Sequence, residues 1–230
     1  MKISSKKSLK AILAVALFAS SSIAFAQSSF SVGADLVSSY VWRGYKQVNT
    51  APNFQPYASF ATGKLTIGAW GSTDFTGTLK EFDLYATYAI SDKLALTVTD
   101  YNWAFTQSYF NLGAGTDHIV EATLAYAGTE SLPLSASLNV MLAGADKTST
   151  GDQAFSTYLE LGYQVADNAK VFAGGSVLDT PMYGKAGVSN LGIKISKSIE
   201  LSDKFSLPVY GVAGFNTITN DAFLVFGISL

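Results

Sequence analysis

Seven charged residues, Asp35, Arg43, Glu81, Asp83, Glu121, Glu160 and Lys194, alternate with apolar neighbours instead of gathering in polar runs. Five are acids and two are bases, a formal charge of −3 for the set. Charges enclosed by apolar chain must be paired or hydrated. The chemistry they suit is a network in which Arg43 and Lys194 bridge several carboxylates, with Asn139 and Asn190 beside them. Rings of acidic side chains select by charge, so an interior lined this way favours cations or hydrogen-bonding solutes. Arg43 carries the most weight, because one cation among several acids sets the local field.

Other chemistries lack their parts. His118 is the single histidine, and the position two residues on, where a His-x-Ser pair would place a nucleophile, is Val120. A nucleophile with a histidine base elsewhere in the chain is therefore impossible. Without cysteine, and with one histidine, no zinc-site spacing exists, nor is there an acidic run of the calcium-loop kind. Gly113-Ala114-Gly115 and Gly174-Gly175 are too short for a phosphate-binding fingerprint. We expect no catalytic residues, no metal and no cofactor.

The charged set converges only if strands bring it together, and the chain carries a strand pattern. Leu84, Ala86, Tyr88 and Ile90 share one parity, while Glu81, Asp83, Tyr85 and Thr87 share the other. Around residue 160, Leu159, Leu161 and Tyr163 oppose Glu160, Gly162 and Gln164. Period two over such lengths predicts strands, at 30–43, 53–61, 65–73, 81–90, 94–103, 118–127, 134–143, 155–165, 170–178, 188–197, 205–215 and 222–230. The connections alternate too. Those at 62–64, 91–93 and 166–168 are tight, those at 44–52, 104–117, 144–154 and 179–187 are long, and those at 128–133 and 198–204 are intermediate. Pro56 and Pro208 fall inside these strands, where they cannot donate to a ladder; bulges or later strand starts are expected there.

Residues 1–26 read as a secretory signal: Lys2, Lys6, Lys7 and Lys10, an apolar run from Ala11 to Phe18, then Ala24-Phe25-Ala26 before Gln27. The apolar run falls short of the roughly 20 residues a bilayer requires. Cleavage removes four lysines and no acid, moving the formal charge from −2 to −6 over the domain 27–230. A mildly acidic exported chain has no nucleic-acid footprint. Mean hydropathy is +0.24, yet beyond the signal no run of eighteen apolar residues occurs.

Apolar content without apolar runs, an even number of strands and alternating connection lengths together predict an all-β fold. The expected form is a transmembrane, antiparallel, up-and-down β-barrel of about twelve strands in the outer membrane of a Gram-negative bacterium. Tyr40, Trp42, Tyr88, Tyr126 and Tyr163 are expected outward as an interfacial girdle, and His118 outward as a polar belt residue. Tyr57, Trp70, Tyr85, Tyr158 and Tyr210 are expected inward, narrowing the lumen. The last strand sets Leu224, Phe226, Ile228 and Leu230 on one face, like the terminal strands read by the barrel-assembly machinery.

The segment Ser39-Tyr40-Val41-Trp42-Arg43-Gly44-Tyr45, followed by Pro52 and Gln55, resembles the TorF-type (Gcw_chp) porin family of bacterial outer-membrane barrels. Glu81-Phe82-Asp83-Leu84-Tyr85 and Gly68-Ala69-Trp70-Gly71-Ser72 extend the resemblance over most of the mature chain. The resemblance implies an outer-membrane barrel. The seven charged residues are then expected as pore lining of a passive channel for small polar solutes or ions, with membrane lipid and the assembly machinery as partners. A non-conducting structural or ligand-binding barrel is the alternative, and a lipid-active enzyme the weakest reading.

Overall fold

The computed structural model describes residues 28–47, 51–103, 105–203 and 205–230; the export signal expected over residues 1–26 lies outside them. Every regular element among the described residues is a strand: β1 Ser29–Val37, β2 Val41–Trp42, β3 Tyr45–Lys46, β4 Asn53–Thr62, β5 Leu65–Asp74, β6 Lys80–Ala89 and β7 Leu94–Tyr101. The second half supplies β8 Ile119–Tyr126, β9 Leu134–Gly144, β10 Thr157–Ala166, β11 Ala169–Ser176, β12 Gly187–Ser202, β13 Phe205–Asn216 and β14 Asp221–Ser229. All but β2 and β3 form one closed antiparallel barrel of twelve strands. The circle closes where β1 meets β14, through Asp35↔Ser229, Leu36↔Ile228 and Val37↔Gly227.

The period-two pattern decides the two faces. On β6, Glu81 and Asp83 are 7% and 4% exposed, whereas Leu84 and Tyr88 on the other parity are 43% and 51% exposed. Closure satisfies the backbone all round without leaving an edge, so the outer face is free to be apolar. It is apolar on every side: Phe30, Phe60, Leu96, Leu161, Ile195 and Leu224 are all exposed.

The expected strand at 30–43 is corrected. β1 stops at Val37, and the chain turns into the barrel as a small hairpin, with Val41↔Lys46 and Trp42↔Tyr45 paired. Parity therefore no longer applies beyond Val37. Tyr40 is 8% exposed and packs on Trp70, while Trp42 packs on Tyr101, Trp103 and Tyr183; neither belongs to an outer girdle. Tyr88 and Tyr163, by contrast, are exposed on the outer face.

The prolines bring no bulge. β4 runs through Pro56 in constant register, with Phe54↔Thr73 and Tyr57↔Trp70 on either side of two missing rungs. Pro208 pairs with Ser198 and lies one residue beyond the last rung to β14, Val209↔Ile228. Bulges occur instead at Val120/Glu121, Gln164/Ala166, Gly174/Gly175 and Glu200/Ser202. β12 and β13 also extend further than expected, so only residues 203–204 separate them.

Glycine makes room for the inward rings. Gly33↔Tyr57, Gly68↔Tyr85 and Tyr210↔Gly227 are direct cross-strand partners. A Cβ on any of these glycines would overlap the tyrosine facing it. The rings lie along the wall over the glycines, and so occupy less of the lumen than their size suggests. Gly227→Val should lift the Tyr210 ring at an overpacking cost of about 1–3 kcal/mol, read as a lower denaturant midpoint in micelles; an unchanged midpoint would show that the ring relaxes freely.

Candidate functional site

All seven charged residues named from the sequence point into the barrel, but they form separate clusters instead of one network. Six reach the interior from the strand walls. Arg43 arrives by the hairpin.

Arg43 sits at the tip of the β2–β3 turn, where Arg43 and Gly44 have φ of 52° and 84°. Two successive left-handed residues make the tight hairpin turn whose twist suits short strands. The turn is held on the β12–β13 side: Ser189 Oγ donates to the Arg43 carbonyl at 3.0 Å, and Asn216 Nδ2 donates to the Gly44 carbonyl at 3.2 Å. From there the guanidinium reaches the opposite wall. Nη1 donates to Glu121 Oε2 at 2.6 Å, and Nη2 donates to Glu121 Oε1 at 2.8 Å and to Asn139 Oδ1 at 2.9 Å. The Tyr183 hydroxyl contacts Nη1 as well.

Aromatic faces complete the cage, with the guanidinium carbon 4.6 Å from the Trp42 ring centre and 4.7 Å from that of Tyr158. Glu121 is 0% exposed. It also accepts from the Tyr101 hydroxyl at 3.0 Å and from Thr123 at 3.2 Å. A bidentate pair with these further donors meets the condition under which a buried ion pair is tolerated.

The expected bridging of several carboxylates by Arg43 is thus corrected: among the described residues it pairs with Glu121 alone. Glu160 is served by neutral donors, the Tyr158 hydroxyl and Asn190 Nδ2, both at 2.9 Å. Glu81 hydrogen-bonds Tyr40, and Asp83 accepts from the Asn102 backbone at 3.3 Å. These two acids are two residues apart on the inward face of β6.

Lys194 lies over the Tyr210 ring, 4.2 Å from its centre, and Tyr210 donates to Asp35 at 3.4 Å. Lys170, which the sequence reading did not single out, is the direct cross-strand partner of Lys194. Charge is therefore graded along the barrel. Acids crowd the long-loop half around the hairpin, where Met141, Tyr158 and Tyr183 are fully buried, whereas the two lysines occupy the half near the short turns, where Tyr57, Tyr85 and Lys170 are partly exposed.

Tyr183, Tyr101 and Met141 were also missed. Tyr183 and the hairpin lie in connections, where alternation says nothing. Lys170 was legible, since it shares its parity with Phe172, Gly174 and Ser176 against Val171 and Ala173.

His118 does lie on the outward face, beside Val120, but it is no exposed belt residue. It is 3% exposed beneath the loop 105–117. Nδ1 sits 2.9 Å from both carboxylate oxygens of Asp100, and Nε2 sits 2.5 Å from the Tyr109 carbonyl. Asn102 Nδ2 lies 3.2 Å from Nε2 as well, so the ring is held from three sides.

Compared with known proteins, the chain matches no family model and no curated protein. The likeness to TorF-type porins rests on the motifs quoted above.

Proposed function

We propose that the protein is a porin-like barrel of the outer membrane that lets small polar solutes or ions diffuse passively along its interior, with the β2–β3 hairpin as the constriction. The observation that carries this reading is the contrast between the two faces of one closed sheet, apolar on every outward strand and charged or hydroxylated within. In hydrocarbon a barrel of this kind leaves no backbone group unpaired. Tyr88 and Tyr163 near the short turns, with Phe54, Phe82 and Phe215 near the long loops, sit at strand ends as interfacial aromatics do. The export signal expected over residues 1–26 and the TorF-type motifs agree with this.

Asp35, Glu81, Asp83, Glu121 and Glu160 against Arg43 and Lys194 make the pathway cation-preferring. In planar bilayers under a potassium chloride gradient, the reversal potential should show cation preference. The preference should weaken as both solutions are raised toward 1 M salt, where screening shortens to about 3 Å. Conductance without charge preference at low salt would contradict it.

One observation favours a non-conducting barrel instead: the hairpin, Arg43 and Tyr183 fill the long-loop half so fully that Glu121 is 0% exposed. Under that reading the inserted protein shows no conductance steps at any salt concentration.

A further inference from the structure

The loop 105–117 does not cross the barrel mouth. It folds down over the outside of the wall, and three outward-facing positions lie beside or beneath it: Phe82 on β6, Asp100 on β7, and His118 immediately before β8. The Tyr109 ring meets His118 edge-on with centres 4.9 Å apart, and Phe82 at 5.6 Å. The Tyr109 carbonyl faces His118 Nε2 at 2.5 Å, and His118 in turn faces Asp100. At the base of the loop, Asp117 accepts from Thr106 Oγ1 at 2.7 Å and from the Gln107 backbone at 2.8 Å.

A loop fastened this firmly still bares its largest apolar side chains. Phe110 packs edge-to-face on Tyr109 at 5.6 Å and is nevertheless 88% exposed, and Leu112 is 75% exposed. Taking such side chains out of water is favourable. The path from Phe110 through Tyr109 to Phe82 continues into the apolar belt of Leu84, Leu96 and Val98. Between residues 105 and 117 the only charge is Asp117, already held within the loop. Nothing there attracts a charged partner.

We propose that the loop 105–117 is a lipid-contacting foot, strapped to the wall by His118, that sets Phe110 and Leu112 into the bilayer at the long-loop interface. The foot explains how an acid can occupy an outward position: the Asp100 carboxylate, 28% exposed, is paired with His118, which the loop covers, instead of standing alone against hydrocarbon. The proposal rests on the membrane-spanning reading above. Its occupant is bilayer lipid, taken by insertion of aromatic and aliphatic side chains and not by headgroup charge.

The chain has no cysteine, so single nitroxide labels can be placed cleanly. Phe110→Cys, Leu84→Cys on the belt and Ser149→Cys on another loop are each labelled, and the full protein is reconstituted in phosphatidylcholine vesicles. Collision with oxygen, which concentrates in lipid, is compared with collision with a water-soluble nickel chelate. The labels at residues 110 and 84 should both favour oxygen severalfold over the label at residue 149. His118→Gln should shift residue 110 toward the value at residue 149 and leave residue 84 unchanged.

A residue 110 label matching residue 149 while residue 84 stays lipid-like overturns the foot and leaves the barrel reading standing. A residue 110 label shielded from both reagents places it against protein, a second copy or a partner, and overturns lipid as the occupant. If residue 84 also behaves as in water, the membrane reading fails and the foot with it. An unmoved residue 110 label in His118→Gln removes His118 as the strap.

Discussion

Arg43→Ala should cost the barrel about 3–5 kcal/mol, the penalty of leaving a buried carboxylate without its partner. Glu121 has 0% exposure, and its remaining donors, Tyr101 and Thr123, are neutral. The alanine also removes the anchor that carries the hairpin across the lumen. Arg43→Lys should recover little, because an ammonium cannot donate to both Glu121 oxygens and Asn139 in one plane. The double variant Arg43→Ala/Glu121→Leu should regain much of the loss, since no charge is then left buried. Denaturant unfolding in micelles, followed by tryptophan fluorescence, measures wild type, Arg43→Ala, Arg43→Lys, Glu121→Leu and the double variant. Losses that simply add, or a single-variant loss under about 1 kcal/mol, would mean that Glu121 is hydrated and the cage looser than described.

Gly44→Ala should unseat the same hairpin from its other side. Its φ of 84° is strained for any residue with a Cβ, and that Cβ would fall onto the Ser189 carbonyl. Backbone cannot swing aside as a flexible side chain does, so the turn must move and withdraw Arg43 from Glu121. The expected destabilisation approaches that of Arg43→Ala, with faster protease cleavage between residues 38 and 47. Gly63→Ala separates strain from clash. Gly63 has φ of 57° with nothing within 4 Å of an added Cβ, so it should lose only the left-handed penalty of about 1–2 kcal/mol. Equal effects at residues 44 and 63 would place the hairpin outside the barrel.

The walls of this barrel were legible because strand alternation is local. Glu81, Asp83 and Tyr85 face inward and Phe82, Leu84 and Tyr88 outward, as residue parity alone predicts. The same reasoning carried Tyr40 and Trp42 to the wrong face, since nothing in Ser38-Ser39-Tyr40 marks the point where the chain leaves the wall. Arg43 was expected inside by parity and is inside by another route. His118 was placed on the correct face, but its cover comes from a loop without periodicity. Strand ends were blurred where alternation continues through a turn, as at β12, and prolines proved compatible with strands wherever the missing donor meets a gap in the ladder, as at Pro56.

Wild type and Arg43→Ala, recorded side by side as single inserted molecules in planar bilayers, provide the direct measurement. Wild type should open in small, discrete, cation-preferring steps, and Arg43→Ala in larger ones as the hairpin loosens its hold on Glu121. Silence from both proteins after verified insertion would contradict conduction through the barrel, and identical steps from both would contradict the hairpin as its constriction.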